Sequence, residues 1–297
     1  MILKDYLNTV SKILFAYLKT RQFSVNYLSQ RNHGEKKALT GKNLYWDDVT
    51  EVFLKRQKLW RIHNDAVNVE LLEKWLPDGQ VKHLLKTDLF DEAVSEGLYP
   101  LLASRAKSVF GIDLSVTTIQ AARSCHSNLQ AIRADVRHLP FADDTFDIIV
   151  SNSTLDHFES PDEILKSLHE LHRLLRSGGQ LLITLDNLIN PVIALRSVLP
   201  FHLLKCLGIV PYYVGATFGP HRLQNTLKQL NFEVIEVDTL WHFPRIIAVI
   251  ILNILEKHAK VGTQKRFLRF LFAFERLSKW PTRFITGYYV AARAIKK

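Results

Sequence analysis

The chain has 297 residues, 47% of them hydrophobic and 23% charged, which is typical of one large globular domain with attachments and excludes a disordered chain. The net charge of +10 is dispersed, because no run of Lys or Arg exceeds two residues and no RNA-binding or helix-turn-helix signature is present. We therefore expect no nucleic acid partner, and we expect the charge to favour solubility or contact with an anionic membrane surface.

The first 78 residues predict a helical extension. Residues 1–30 carry apolar side chains at helical spacing with lysines between them, which predicts an amphipathic helix. Residues 31–43 are polar and predict a loop. Residues 46–76 again have a helical pattern, and Pro77-Asp78-Gly79 ends it.

After residue 79 the pattern changes to short apolar strands that alternate with helices. Strands are predicted at 81–87, 108–113, 129–134, 146–152 and 180–185, and helices at 100–106, 116–125 and 161–175. A less regular part follows, with a helix at 218–230, strands at 232–239 and 286–295, and apolar helices at 245–258 and 265–280 between those strands. The whole pattern predicts an α/β fold: a Rossmann-like, doubly wound, seven-stranded sheet with a helical insertion before the last strand.

Polar residues stand where four predicted strands end. In a doubly wound sheet, ligands bind beyond these carboxyl ends. Asp113 ends the second strand, where a carboxylate can accept hydrogen bonds from both hydroxyls of a ribose. A carboxylate that caps the next helix would occupy the same position. Asp135 follows the third strand, and Asn152 ends the fourth.

The segment after strand three carries a family resemblance. Asp135-Val-Arg-His-Leu-Pro-Phe-Ala-Asp-Asp-Thr-Phe-Asp-Ile-Ile-Val150 resembles class I S-adenosylmethionine-dependent methyltransferases of the quinone-biosynthesis type, whose hallmark is D-x-x-x-L-P-F-x-D-x-x-F-D-x-V. Leu174-Leu-Arg-Ser-Gly-Gly-Gln-Leu-Leu-Ile183 resembles the family's turn into strand five. The resemblance covers roughly residues 80–187 and the last strand. It implies a methyltransferase with S-adenosyl-L-methionine as cofactor.

The resemblance also implies a set of cofactor-binding residues. Asp135 and Val136 would hold the adenine, and Asp113 with its neighbour Leu114 would hold the ribose. The family's first loop is normally glycine-rich, but here only Gly97 is present, 16 residues before Asp113. The expected cofactor-binding residues are Asp88, Asp91, Gly97, Asp113, Leu114, Asp135, Val136 and Asn152.

The first loop leaves two questions open. Alignment on Gly97 puts Asp91 at the place of the family's acidic residue, whereas the strand pattern selects Asp88. Ala93 and Ser95 would replace two glycines, and they are small enough to keep binding plausible. A nicotinamide dehydrogenase on the same fold would need G-x-G-x-x-G in this loop, and that motif is absent.

The candidate catalytic residue is His157, which follows strand four in Ser153-Thr-Leu-Asp-His-Phe158 beside Asp156. Methyl transfer depends mainly on positioning, so a general base is optional. The alternative role of His157 is a hydrogen-bonded pocket residue. His221 and His242 are weaker candidates.

The expected domain division follows from these assignments. Residues 1–78 form an extension or lid, in which Trp46 and Trp60 help to close the pocket. Residues 79–297 form the methyltransferase domain, with residues 79–187 as its cofactor-binding half and residues 188–297 as its substrate side.

The apolar helices at 245–280, with lysines and arginines nearby, indicate an acceptor that is apolar or amphiphilic and small to medium in size. They predict a lipid-facing lid, or alternatively an ordinary core or homodimer interface. The reaction would be O- or C-methylation. The functional alternative is a non-catalytic scaffold or peripheral membrane protein that has lost the cofactor.

Cysteine usage and apolar run length bear on localisation. Cys125 and Cys206 have neither metal-ligand nor redox spacing, so we expect no metal site and a reducing compartment. The longest apolar stretch is about half of what a bilayer span needs, and the N-terminus begins no convincing signal peptide. We expect a cytoplasmic or membrane-associated protein.

Overall fold

The computed structural model describes residues 40–53, 57–206 and 213–297. The helix predicted at 1–30 and most of the loop predicted at 31–43 lie outside these ranges. Helices and strands are numbered below in chain order over the described residues.

The centre of the protein is a seven-stranded sheet with the order β3-β2-β1-β4-β5-β7-β6. Strand β7 runs antiparallel to β5 and β6, and the other pairings in the sheet are parallel. The strands are β1 (Val81–Lys86), β2 (Ala106–Asp113), β3 (Gln130–Arg133), β4 (Phe146–Asn152), β5 (Leu175–Asp186), β6 (Phe232–Leu240) and β7 (Tyr289–Lys296). The predicted α/β fold is confirmed.

Helices cover both faces of the sheet. They are α1 (Thr40–Phe53), α2 (Lys58–Trp75), α3 (Phe90–Val94), α4 (Tyr99–Arg105), α5 (Val116–Cys125), α6 (Pro161–Leu174), α7 (Pro191–Val198), α8 (Phe201–Cys206), α9 (Pro220–Gln229), α10 (Arg245–His258), α11 (Val261–Phe274) and α12 (Arg283–Thr286). Short 3-10 turns span Leu155–His157 and Glu275–Lys279. None of the helices in the described ranges is long and apolar enough to cross a membrane.

The core forms because successive strand residues point to opposite faces of the sheet. Leu84 packs with α2 and α5 on one face, whereas Leu85 packs with α6 and α9 on the other. Both side chains are completely buried. Burial of a leucine contributes about 1.5–3 kcal/mol, so this alternation sets the orientation of β1.

Local signals explain the helix boundaries that the sequence predicts well. Ser160 and Glu163 form a capping box at the start of α6, with Pro161 in the first turn. The side chain of Ser115 accepts a hydrogen bond from the Thr118 amide at the start of α5. Both features are visible in the sequence, because they depend on residues within one turn of each other.

Two predictions about the N-terminal region are wrong. Helix α1 begins at Thr40, so residues 40–43 belong to a helix and not to a loop. The helix predicted at 46–76 is interrupted, because α1 ends at Phe53 and α2 begins at Lys58. Gln57 precedes α2 in the left-handed region with φ 62°, a conformation that a continuous right-handed helix does not contain.

The apolar helices α10 and α11 pack on α2. Leu252 of α10 and Leu271 of α11 are completely buried in the same core cluster as α2. The rings of His63 and Phe272 meet edge to face, with centroids 5.1 Å apart. The inner faces of both helices therefore form core. The predicted helix at 265–280 ends earlier, at Phe274, and a 3-10 turn follows it.

Candidate active site

The predicted site residues converge at one edge of the sheet. Strand pairing aligns Lys86 with Gly111 and Val150, and Asn152 with Thr184. The carboxyl ends of β1, β2, β4 and β5 therefore lie side by side. The start of β7 joins them, because it runs in the opposite direction and Tyr289 pairs with Asp186.

Asp113 connects three elements at this edge. Its Oδ1 accepts a hydrogen bond from the Ser115 amide at 2.8 Å, and its Oδ2 accepts one from the Leu89 amide at 3.1 Å. Its carbonyl accepts one from the Ala134 amide at 3.1 Å. Leu114 accepts a bond from Arg133 Nε through its carbonyl. Each Asp113 carboxylate oxygen retains a second lone pair, so the capping and ribose-binding roles are compatible.

The first loop is built around a buried ion pair. Lys86 at the end of β1 lies 2.8 Å from Glu92 Oε2, and both side chains are almost completely buried. Lys86 also donates a hydrogen bond to the Asp88 carbonyl. Burial alone lowers the pKa of Lys86, but the attraction of Glu92, Asp88 and Asp91 outweighs it, so the pKa is raised. The lysine therefore stays charged.

Gly97 completes this loop. Its φ is 56°, and a Cβ atom there would lie 2.8 Å from Glu92 Oε1. Only glycine adopts this conformation at low cost and leaves room for the carboxylate. Glu92 Oε1 accepts a hydrogen bond from the Leu98 amide at 3.0 Å. The loop expected to be glycine-rich thus folds as the short helix α3, held by Glu92.

Both acidic candidates of the first loop belong to one group of carboxylates. Asp88 repels Asp113, and burial followed by this repulsion raises the pKa of Asp113 to about 7. Asp91 similarly repels Asp65 of α2. Burial and this repulsion raise the pKa of Asp65 to about 7. Burial also raises the pKa of Asp88. The choice between Asp88 and Asp91 stays open, since both lie beside Lys86.

Ser95 does not act as a simple small residue. Its hydroxyl donates to Asp65 Oδ2 at 2.8 Å, which joins the first loop to α2. Ala93 is buried in the core. The two positions expected to replace glycines therefore serve the packing of α3.

Asp135 is held by its own loop. Arg137 donates to both of its carboxylate oxygens and reaches Glu163 on α6. Burial raises the pKa of Asp135, but the hydrogen bonds and charge of Arg137 outweigh it, so the pKa is lowered. Val136 is buried. An adenine amino group would have to share the Asp135 carboxylate with Arg137.

Asn152 lies at the end of β4, where its Oδ1 accepts a hydrogen bond from Thr184 Oγ1 at 2.7 Å. Ser153 follows in the left-handed region, with φ 49°. Such backbone strain in a non-glycine residue is concentrated at functional sites. The strained turn directs the chain from β4 into the 3-10 turn that carries His157.

Helix α1 lies over the cofactor side of the site. Asp47 Oδ1 accepts hydrogen bonds from Ser115 Oγ at 2.5 Å and from the Thr117 amide at 3.1 Å, which docks α1 on the start of α5. The ring of Trp46 meets His157 edge to face at 5.0 Å. Trp46 therefore has the position expected of a lid residue. Trp60 instead packs against Trp241 at 5.1 Å.

His157 lies between the lid and the strand ends. Its Nδ1 lies 3.2 Å from the Tyr213 carbonyl oxygen, and Tyr45 Oη accepts a hydrogen bond from the Tyr213 amide at 2.7 Å. Because a carbonyl only accepts, Nδ1 carries the proton, and Nε2 is the basic nitrogen. His242, by contrast, is buried and contacts Thr286 Oγ1 at 2.8 Å, and His221 is exposed on α9.

A second polar group lies on the β5 and β7 side. Ser153 Oγ is 3.2 Å from Asp156 Oδ2 and 3.1 Å from the Tyr289 hydroxyl. Arg196 of α7 pairs with Asp186 Oδ2 at 2.5 Å, while the other oxygen, Asp186 Oδ1, is buried without a hydrogen-bond partner. Burial and the neighbouring Asp186 raise the pKa of Asp156.

Aromatic side chains border this polar group. The Arg245 guanidinium lies over the rings of Trp60, Trp241 and Tyr288 at 5.6, 5.4 and 5.7 Å, respectively. It also donates a hydrogen bond to the Tyr289 hydroxyl at 3.4 Å. These rings are buried, and their packing around Arg245 fixes the guanidinium next to the Tyr289 hydroxyl.

Sequence reasoning missed several of these residues. Asp186 follows a predicted strand, so the rule that selected Asp113 could have found it. Tyr289 begins an antiparallel strand, and no local pattern connects it to Ser153. The sequence signal for Lys86 is weak: it is a charged residue at the end of an apolar strand, and Glu92 follows six positions later.

Comparison with known proteins bears directly on this edge of the sheet. A protein-family profile described as a methyltransferase domain matches residues 93–183. The matched range runs from α3 into β5 and includes Gly97, Asp113, Asp135 and Asn152. Residues 93–183 therefore match a methyltransferase domain. The predicted family resemblance is confirmed.

Curated relatives align with part of the methyltransferase domain. The chain is 32% identical over 112 residues to the ubiquinone/menaquinone biosynthesis C-methyltransferase UbiE of Haemophilus ducreyi. The aligned segment covers 35% of this chain and 42% of that protein. The chain spans about half the length of the curated relatives it matches.

Solved structures resemble the methyltransferase domain over most of the chain. A geranyl diphosphate C-methyltransferase of Streptomyces coelicolor, solved with Mg²⁺, geranyl diphosphate and S-adenosyl-L-homocysteine, has a TM-score of 0.52 at 12% identity and covers 78% of each chain. An S-adenosylmethionine-dependent methyltransferase of Mesorhizobium loti has a TM-score of 0.52 at 16% identity, over 79% of this chain and all of that one. At these identities the likeness shows the fold alone.

Proposed function

We propose that the methyltransferase domain binds S-adenosyl-L-methionine and transfers its methyl group to a small or medium, apolar or amphiphilic acceptor. The observation that carries this proposal is the group of carboxylates around Asp113, of which Asp113 itself lies in the segment that matches the methyltransferase profile. When bound, the cofactor supplies a methyl group on a positively charged sulfur, which leaves as a neutral thioether.

The charges of the first loop fit a cationic ligand. Asp88, Asp91, Glu92 and Asp113 all lie close enough to the Lys86 ammonium to interact with its charge. Burial, and after it the repulsion between carboxylates, raises the pKa values of Asp88 and Asp113. A ligand with an ammonium and a sulfonium group would stabilise their ionised forms. A pyrophosphate would be repelled here.

The remaining candidates fit an adenosine. Asp113 has lone pairs for the ribose hydroxyls, and Leu114 follows it in the same turn. Asp135 and Val136 would flank the adenine, with the Asp135 carboxylate shared with Arg137. Gly97 and Asn152 would border the methionine part. Helix α1, through Trp46 and Asp47, would exclude water from the site.

His157 is our candidate for removal of a proton from the acceptor. Methylation of an oxygen or carbon atom releases one proton, and a positioned base commonly contributes about 10²–10⁴-fold in rate. The Nδ1 contact with the Tyr213 carbonyl leaves Nε2 as the proton-accepting nitrogen. Because His157 also contacts Trp46, closure of the lid and orientation of the base would be coupled.

The acceptor class is inferred from the second side of the site. There the buried rings of Trp60, Trp241 and Tyr288 pack around Arg245, which also contacts the Tyr289 hydroxyl, so this side of the site is built from amphipathic aromatic residues. The names of UbiE and of the geranyl diphosphate C-methyltransferase, both C-methyltransferases, favour a prenyl-type or ring acceptor. Both O- and C-methylation remain within the proposal.

Calorimetric titration with S-adenosylmethionine and S-adenosylhomocysteine tests the cofactor assignment. We expect binding by the wild type and a 10- to 100-fold weaker affinity for Asp113→Asn, since hydrogen bonds to a charged group contribute about 1.5–3 kcal/mol. Asp78→Asn is the matched control, because Asp78 is fully exposed before β1. His157→Gln should keep the affinity and lose turnover once an acceptor is identified.

Each outcome of the titration has a definite meaning. Loss of affinity in Asp113→Asn alone, with unchanged circular dichroism, would support the site. No binding by a folded wild type would contradict the proposal and favour the alternative of a non-catalytic scaffold on a methyltransferase fold. Equal loss in Asp78→Asn would mean that the effect is not specific to Asp113.

A further inference from the structure

An exposed apolar surface lies beside the strand ends, and we call it the apolar rim. Isolated exposed apolar residues are normal, but a contiguous set marks an interaction surface. From Ile189, two residues before α7, to the end of this helix, every third side chain is apolar and exposed, up to 83% for Val198. The apolar rim consists of Ile189, Val192, Leu195, Val198 and Ile285.

Helix α7 has an unusual orientation for a surface helix. Its inner side holds Ile193, which is completely buried, and Arg196, which pairs with the buried Asp186. The side exposed to solvent carries Leu195 and Val198, where charged residues would be usual. The ion pair of Arg196 therefore fixes the helix with its apolar side outward.

Hydrogen bonds join the two parts of the apolar rim. Asn190 Nδ2, at the start of α7, donates to the carbonyls of Ile285 and Thr286 in α12 at 3.2 and 3.1 Å. Asn187 Nδ2 donates to the Phe284 and Gly287 carbonyls. Because α7 follows β5 and α12 precedes β7, the apolar rim adjoins the acceptor side of the candidate site.

The segments of the chain that form the apolar rim contain basic residues and no acidic ones. The chain has no Asp or Glu between residues 187 and 232, and none after Glu275. Arg276 and Lys279 are exposed, and Trp280 beside them is 62% exposed. Glu275 is directed inward, where it accepts a hydrogen bond from the Trp241 amide. Arg283 approaches Asp238 at 3.9 Å, so the exposed cations here are mainly Arg276 and Lys279.

We propose that the apolar rim docks on an anionic lipid bilayer. Apolar side chains inserted between headgroups, a tryptophan at the interface and cations without neighbouring acids are the features that bind such a surface. Docking would place the strand-end edge against the bilayer, so that an amphiphilic acceptor could enter from the lipid; this last step rests on the proposed methyltransferase function.

Vesicle flotation of the full-length protein, without cofactor, tests the docking. We expect flotation with vesicles that contain about one third phosphatidylglycerol, and at least tenfold less with phosphatidylcholine alone, because two or more cations near an anionic surface each strengthen binding several-fold. Leu195→Glu with Val198→Glu should reduce flotation at least tenfold. Ile235→Glu, on the outer strand β6 and 46% exposed, is the matched control and should float as the wild type does.

Further measurements keep the outcomes distinct. Lys279→Gln with Arg276→Gln should weaken only the dependence on phosphatidylglycerol, and all variants should keep the wild-type melting temperature. Wild-type protein that floats with neither vesicle would overturn the proposal. If the wild type is a dimer and the variant with Leu195→Glu and Val198→Glu is a monomer, the apolar rim binds a second copy of the chain, and the proposal is wrong. If a cross-linker attached at Val198→Cys reacts with residues 1–39, that segment covers the apolar rim, and the proposal is wrong as well. None of these results depends on cofactor binding.

Discussion

At the scale of single residues, the first loop of the candidate site combines carboxylates that repel one another with a buried cation, Lys86. Lys86 forms an ion pair with Glu92, and its positive charge also attracts Asp88 and Asp91. Asp113 accepts two backbone hydrogen bonds, yet its pKa is raised to about 7. The family resemblance predicts a glycine-rich first loop. In this protein, the contacts of these charged residues stabilise the loop instead.

Removal of the Lys86 charge should destabilise the protein. Lys86→Met leaves Glu92 buried without its ionic partner, and loss of one member of a buried pair costs about 3–5 kcal/mol of unfolding free energy. Urea unfolding measures this loss. Lys107→Met, at an exposed position of β2, is the control and should change the unfolding free energy by less than about 0.5 kcal/mol. Addition of Glu92→Leu should recover stability, and a double variant as unstable as Lys86→Met would contradict the ion-pair account.

Cofactor affinity should increase with pH. Asp113 and Asp65 have folded pKa values of about 7, above the ordinary value, so the free protein retains their protons between about pH 4 and 7. Their contribution to stability is present below pH 4 and is lost as the pH rises through 7. A cationic ligand favours the ionised forms, so its binding below pH 7 releases protons.

Calorimetry at several pH values measures this linkage. From pH 6 to 8 the affinity for S-adenosylmethionine should rise, by at most about tenfold per pH unit for each proton released. Asp113→Asn should flatten the profile. An affinity that is independent of pH in the wild type would show that these carboxylates do not face the ligand.

At the scale of elements, α1 is the part of the N-terminal region that reaches the site. It is attached to the start of α5 through Asp47 and, beside it, through a hydrogen bond between Thr50 and Thr118 of 2.8 Å. Trp46 then lies against His157. The lid is therefore held by polar contacts at a helix start, which can open at modest cost. The proposed division of the chain at residue 78 remains a prediction.

Loss of the Asp47 carboxylate should loosen this lid. Asp47→Ala removes an acceptor for the Thr117 amide, and loss of such a cap costs about 1 kcal/mol, or roughly fivefold in cofactor affinity. Limited proteolysis near α1 should become faster. The exposed Glu51 of the same helix provides the control, and Glu51→Ala should change neither measurement. Equal effects of the two substitutions would argue against the capping contact.

At the scale of the whole molecule, α10 and α11 join the helical extension to the sheet. They share one core cluster with α2, while α6 and α9 belong to a second cluster on the opposite face. The helical insertion before the last strand is thus part of the fold's support. The surface that we propose for lipid lies elsewhere, on the exposed apolar residues of α7 and α12.

Substitution of a buried and of an exposed residue of α10 should show that only the buried side of this helix contributes to the free energy of unfolding. Leu252 is completely buried, so Leu252→Ala should cost about 2–5 kcal/mol of unfolding free energy. Ile247 of the same helix is 49% exposed, and Ile247→Ala should stay within about 0.5 kcal/mol. Urea unfolding compares them. Similar small losses at both positions would mean that α10 is not part of the core.

The sequence by itself determined the order of the five strands in residues 79–187 and of the helices α4, α5 and α6 between them, whereas it predicts a loop where α3 lies. Residues 116–125 and 146–152 were predicted with the boundaries of α5 and β4, because apolar periodicity and local caps depend on neighbours in the chain. Asp113, Asp135 and Asn152 were found by one rule, that parallel strands present their carboxyl ends at one edge.

Only the tertiary structure decided which distant residues meet. The antiparallel β7 brings Tyr289 to Ser153, and α2 brings Asp65 to Ser95. The outward apolar side of α7 depends on the pairing of Arg196 with Asp186. Hydrophobic periodicity shows that a helix has two sides, but which side faces inward is set by the partners packed against it. That choice involves residues far apart in the chain, and no local pattern contains it.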